Sequence, residues 1–155
     1  MQAYIGTKVI TAKPMSLGAY NEHRGWNIPE GEDPEARGYL INYPDGYVSW
    51  SPEQQFDEAY RVTSGMNFGL ALEALQKGMK VARRGWNGKN MWLVFVPGSS
   101  KPLTMMEGTP YRKAGLERPT MIDGHIDMYT AQGTMQPGWL ASQNDMLAND
   151  WILIP

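Results

Sequence analysis

Between residues 66 and 96, MNFGLALEALQKGMKVARRGWNGKNMWLVFV, the apolar positions change their period. Phe68, Ala71, Leu72 and Leu75 recur at helical spacing and predict a short helix with one apolar stripe. Asn67 is suited to cap its first turn, because its side-chain oxygen can accept from a free amide there. Lys77 and Gly78 close it: a cation suits the negative end, and glycine takes the left-handed position without strain. Two strand-like runs follow, Met79 to Trp86 and Asn90 to Val96, with Asn87-Gly88 between them as a tight hairpin signal. The second run is apolar on both faces, Met91, Leu93 and Phe95 on one and Trp92, Val94 and Val96 on the other. Both faces need cover, and in so small a domain a second protomer is one source of it.

The remaining chain reads in the same way. Residues 3–10, AYIGTKVI, favour a strand, and a helix is expected from Pro14 to Arg24, ended by Gly25. Strands are expected at Gly38–Tyr43 and Tyr47–Trp50 around the turn Pro44-Asp45-Gly46. A helix capped by Ser51, with Pro52 at its first position, should bury Phe56, Ala59 and Tyr60. Residues 62–65, VTSG, form a polar joint. Residues 97–120 hold several prolines and glycines and read as a long loop. Met121 to Tyr129 alternates strictly and predicts a half-buried strand. Ser142 with Asp145 three residues on predicts a capped helical turn, and WILIP a last strand. The fold class is therefore α+β, a mainly antiparallel sheet with a few short helices, in two small packed parts. The expected division is 1–62, an N-terminal α+β extension with no assigned role, and 66–155.

Composition narrows the function classes. The 155 residues are 42% hydrophobic and 19% charged, which suits a folded chain. Cysteine is absent, so disulfide frameworks and Cys-based zinc sites are excluded. The N-terminus lacks the apolar core of a signal peptide, and no run is long enough to span a membrane. These features suit a cytosolic protein. The net charge of −2 argues against a nucleic acid polymer as partner. Charge is uneven, however: residues 80–118 hold eight Lys/Arg and two Asp/Glu, an excess that suits a small anion.

Two groups of residues carry candidate chemistry. Asp123, His125 and Asp127 share one face of their expected strand, and two of them could hold a metal with a third ligand from elsewhere. A solvated polar face with one buried, hydrogen-bonded histidine is the simpler reading of them. The tryptophans are the other group, six in the chain. Trp86 sits at a turn with Arg83, Arg84, Asn87 and Lys89, and Trp139 follows Pro137-Gly138. An indole at a cleft offers a face to a base, and arginine offers a fork to phosphate oxygens. Arg24-Gly25-Trp26-Asn27 echoes Arg84-Gly85-Trp86-Asn87, but four residues are weak evidence for a duplication.

From Met66 onward the chain resembles a known family. The resemblance runs through MNFGLALEALQKGMKVARRGWNGKNMWLVFVPG and HIDMYTAQGTMQPGWLASQNDMLANDWILI. It is to the second Thoeris anti-defence family of phage and prophage proteins, several separated motifs occurring in the same order. The resemblance implies a non-enzymatic sponge that holds a cyclic ADP-ribose isomer, and for some members cyclic dinucleotides, without cleaving it. It further implies a homotetramer with pockets between protomers, no cofactor, no metal, and action in the cytoplasm of the infected bacterial host.

The motif residues carried over are Arg84, Trp86 and Asn87 of RGWNG, Trp139, and Ser142, Asn144 and Asp145 of SQND. Side-chain chemistry then gives base stacking to Trp86 and Trp139, edge or ribose hydrogen bonds to Asn87, Asn144 and Asp145, and a phosphate to Arg84. Two other readings compete. One is a metal-dependent phosphodiesterase acting through Asp123, His125 and Asp127. The other is a phage structural or interaction module.

Overall fold

The computed structural model describes all 155 residues. The chain divides into two compact units, Met1–Arg61 and Val62–Pro155.

In the first unit, β1 (Thr11–Pro14) leads to α1 (Leu17–Arg24), then β2 (Gly38–Asn42), β3 (Val48–Pro52) and α2 (Glu53–Ala59). The three strands form an antiparallel sheet in the order β1-β2-β3. Ser16 caps α1 by accepting from the Ala19 amide, and Gly25 ends it in the left-handed region at φ 69°. Pro14 has no amide to give a ladder, which suits β1 to its edge position.

Several expectations fail here. The helix expected from Pro14 begins only at Leu17, because Pro14 is taken up by β1 opposite Tyr39. Residues 3–10 form no strand. The strand lies at Thr11–Pro14, whose partners Tyr39–Asn42 use up β2, so the earlier residues have no edge to pair with. Tyr4 and Ile5 are left exposed. Ser51 does not cap α2 either, because it is engaged in β3 opposite Tyr39. Pro52 takes the cap position without a side-chain bond, and the Glu53 amide donates instead to the Arg37 carbonyl. Within α2, Phe56 stacks on Tyr39 at 4.0 Å and Tyr60 follows it, while Ala59 is exposed.

In the second unit, α3 (Phe68–Gln76) precedes β4 (Lys80–Arg83) and β5 (Trp92–Val96). Then come α4 (Pro110–Lys113), β6 (His125–Tyr129), β7 (Met135–Gln136), α5 (Gln143–Met146) and β8 (Trp151–Ile154). The five strands form one antiparallel sheet in the order β7-β6-β5-β4-β8. Asn67 caps α3 through the Leu70 amide, and Gly78 follows it at φ 79°. Ala71, Ala74 and Leu75 of α3 meet Val81, Leu93, Met128 and Trp151 of the sheet, with Met66 completing the core. Met66 and Trp151 exchange both main-chain hydrogen bonds, so the approach to α3 runs beside the last strand.

The tight hairpin at Asn87-Gly88 does not form. A wider loop from Arg84 to Met91 joins β4 to β5, and Val81 opposite Leu93 is their one ladder pair. Asn90, not Asn87, takes a positive φ of 59°. The strand expected from Met121 starts only at His125, the partner of Val96 at the end of β5. Ile122 instead exchanges bonds with Ser99 in the preceding loop. That loop is irregular as expected, except for the turn α4, capped by Thr109, and the two main-chain bonds that Leu103 and Thr120 exchange. No helix is long and apolar enough to cross a membrane.

Candidate functional site

β4 ends where its face demands a charged pair. Val81 and Arg83 share one face of the strand, and Val81 is fully buried. An arginine two residues along that face needs acids to meet it. Arg83 Nε donates to Asp150 Oδ1 at 2.8 Å, and Arg83 Nη1 donates to Asp145 Oδ1 at 2.9 Å. The Arg83 side chain is 15% exposed and that of Asp145 11%.

Asp150 also fixes the chain just beyond β4. Its Oδ2 accepts from the Gly85 amide at 2.7 Å, and its carbonyl accepts from the Arg84 amide at 3.2 Å. A side chain at Gly85 would put its Cβ 2.7 Å from that same Oδ2, so any other residue would force the carboxylate or the loop to shift.

Asp145 is the second hub. It stands in the short helix α5 and closes a reciprocal cap with Ser142. Its Oδ2 accepts from the Ser142 amide at 3.0 Å and hydroxyl at 2.7 Å. Its Oδ1 accepts from Arg83 and from the Trp86 indole N–H at 3.0 Å. Burial alone would raise the pKa of this carboxyl, but the bonds from Ser142, Trp86 and Arg83 outweigh it and hold the group well below the usual carboxylate range. The Arg83 bond likewise lowers Asp150 against the effect of burial, and the Gly85 amide helps. Asp150 in turn raises the Arg83 pKa, with Asp145 adding to the effect against burial.

The indoles gather on this scaffold. Trp86 meets Trp139 edge-on at 6.2 Å and Trp151 at 5.5 Å. Trp151 is fully buried, whereas Trp86 and Trp139 are half-buried at the margin of the core. Trp139 is pinned by its amide, which donates to the Ile126 carbonyl at 2.7 Å, and Gly138 before it is held by Asp127. Trp139 also lines a cleft of about 390 Å³, together with Leu72, Phe95, His125, Ile126 and Leu140.

The structure thus brings together Trp86, Trp139, Ser142 and Asp145. Arg84, Asn87 and Asn144 are exposed neighbours of these residues in the chain, and their side chains make no bond within the protein. Sequence reasoning passed over Asp150 and gave Arg83 no role apart from Arg84. The signal was an arginine in register with Val81 on an inward face.

Asp123, His125 and Asp127 do not converge. His125 Nε2 lies 3.4 Å from Asp127 Oδ1, while its Nδ1 faces the Asp123 main chain and not the carboxylate. No group of three or more His, Asp or Glu residues could hold a metal ion. The four-residue echo is also unlike its counterpart: Arg24 lies over the Trp26 ring at 4.3 Å, with no acid taking the place of Asp145.

Residues 66–154, which carry this arrangement, match the sequence profile of the Tad2-like family, the Thoeris anti-defense 2-like domain. A protein of Bacillus phage SP01 described as Thoeris anti-defense 2 is 38% identical over 89 residues, which cover 94% of that protein and 57% of this chain. With the profile matching more than half of the chain and this relative 38% identical, the chain belongs to the Tad2-like family.

Proposed function

We propose that this is a phage anti-defence protein that binds immune signalling nucleotides and withholds them without cleavage. The ligand is a cyclic ADP-ribose isomer, with cyclic dinucleotides as a further class. The activity belongs to residues 66–155, with residues 1–62 as an extension, and it is exerted in the cytoplasm of the infected host.

Family membership supports the anti-defence role. The observation that carries the nucleotide reading is the pairing of Trp86 with Trp139 at the margin of the core, flanked by Arg84, Asn87 and Asn144 with unused hydrogen-bonding groups. In this reading the indoles stack on bases, the asparagines read base edges or ribose, and Arg84 takes a phosphate. Ser142 and Asp145 complete the site. A sponge must outcompete a receptor, which asks for nanomolar affinity, roughly −12 kcal/mol. Stacking plus charge-assisted bonds in a cleft closed by a second protomer meets that requirement. The homotetramer is part of the proposal: Val94 and Val96 lie on the face of β5 turned from the core residue Leu93 and are only half-buried.

The test is a calorimetric titration with the cyclic ADP-ribose isomer, followed by heat denaturation and analysis of the released molecule. Tight binding with intact ligand recovered is expected. Cleaved product would replace the sponge with a hydrolase, and absence of binding to this compound and to cyclic dinucleotides would favour a structural or interaction module.

A further inference from the structure

We propose that Arg83, Asp145 and Asp150 are positioning residues that aim Trp86 and Asn87 at the ligand, and that Asp145 makes no contact with the ligand itself. This inference rests on the nucleotide-binding reading above.

A carboxylate offers about four acceptor sites. Asp145 uses two oxygens for four donors: the Ser142 amide and hydroxyl on one, and Arg83 with Trp86 on the other. A ribose hydroxyl or a base amine would have to displace one of these from a group that is largely buried. The role sketched for Asp145 by side-chain chemistry alone is therefore already filled from within the chain. Asn87 and Asn144 keep unused donors and acceptors and are exposed.

The loop between β4 and β5 is held by side chains and not by its ladder. The ladder between β4 and β5 has the single pair Val81 and Leu93, so main-chain pairing does not fix residues 84–91. Asp150 holds Gly85 and Arg84, and Asp145 holds Trp86. Arg83 spans both acids and sets their separation. Three consecutive residues of the loop are thereby fixed, and the next, Asn87, is left pointing from a determined base. A bound base meets an indole whose plane is already chosen, so less ordering cost is paid on binding.

The experiment follows the indole N–H of Trp86 by nitrogen–proton NMR in the full chain, assigned by its loss in Trp86→Phe. In parallel, calorimetry measures affinity for the cyclic ADP-ribose isomer. Asp145→Asn and the more exposed Asp150→Asn are compared with Asn87→Ala and Asn144→Ala. In the two acid variants the Trp86 indole proton should exchange with water at least tenfold faster, and affinity should fall at least tenfold. In the asparagine variants affinity should fall while exchange stays as in wild type. Leu93→Val, a core change away from these bonds, should lower stability and leave both readings near wild type.

Affinity lost in Asp145→Asn with the indole still protected would mean direct contact and would overturn the proposal. So would unchanged affinity with the indole released. If the wild-type protein takes up no cyclic nucleotide, the sponge reading fails separately. The positioning claim then rests on exchange alone, with faster exchange supporting it and unchanged exchange overturning it.

Discussion

The indole N–H of Trp151 donates to the main-chain carbonyl of Asp145 across 3.0 Å, joining the last strand to the short helix before it. Trp151 is also fully buried and touches Phe68, Trp86 and Trp139. Trp151→Phe removes that bond from a carbonyl that still accepts from the Ala148 amide, and should cost ~0.5–1.5 kcal/mol. Trp151→Ala adds a cavity and should cost ~3–5 kcal/mol. Urea unfolding followed by circular dichroism measures both; a change under half a unit of kcal/mol in either would contradict the central place given to this side chain.

Stacking predicts how the site should fail. Trp139→Ala should weaken binding of the cyclic ADP-ribose isomer by ~1–3 kcal/mol, the worth of one stacked base. Trp86→Ala should lose at least as much, because it also frees an acceptor on Asp145. Arg84→Ala should reduce both affinity and its dependence on salt. Titrations at two salt concentrations separate these contributions, and full affinity in Trp86→Ala would remove the site assignment.

Acid stability has a definite sign. Asp145 and Asp150 both have lowered pKa values in the folded protein, so the folded state holds fewer protons through the acid range. Their contribution is complete above the unfolded carboxylate value, about 3.9, and is lost as pH falls below it toward the folded values. The unfolding midpoint of the wild type should therefore drop steeply below about pH 4. Asp145→Asn should be less stable at neutral pH and fall less steeply in acid. Parallel curves for the two proteins would contradict the lowered pKa of Asp145.

Chelation should do nothing. Since His125 pairs with Asp127 while Asp123 stands apart, the predicted outcome is unchanged affinity in EDTA and in Asp123→Ala. Loss of binding in either would return these residues to consideration as a metal site.

Gly85→Ala tests the close approach of the loop to Asp150. The added methyl would crowd the carboxylate oxygen and should cost ~1–3 kcal/mol, as overpacking does. Thermal melts give the stability, and a variant as stable as wild type would show that the loop can shift without loss.

Local signals were legible where the determining partners are near in sequence. The Asn67 cap, Gly78 after its helix and the Ser142–Asp145 box each depend on residues within one turn, and each forms. Failures lie where a distant partner decides. Residues 3–10 have the propensity of a strand but no edge left to join. Asn87-Gly88 carries a hairpin signal, yet the loop obeys Asp145 and Asp150 instead. Met121 to Gly124 alternate as a strand would, but β5 ends at Val96, and beyond it Ile122 meets only Ser99 of the irregular loop. Trp86, Trp139, Ser142 and Asp145 could be picked out as residues, while the buried bonds that assign Asp145 its partners could not.

The Arg84–Met91 loop takes its shape from acids that come about sixty residues later in the chain: 59 positions from Trp86 to Asp145 and 65 from Gly85 to Asp150. Such long closures are slow and costly to make before other contacts reward them. During synthesis the bonds that fix Arg84, Gly85 and Trp86 cannot form before Asp145 and Asp150 have been added to the chain. Under the proposed function, a nascent chain that lacks these acids should capture no ligand.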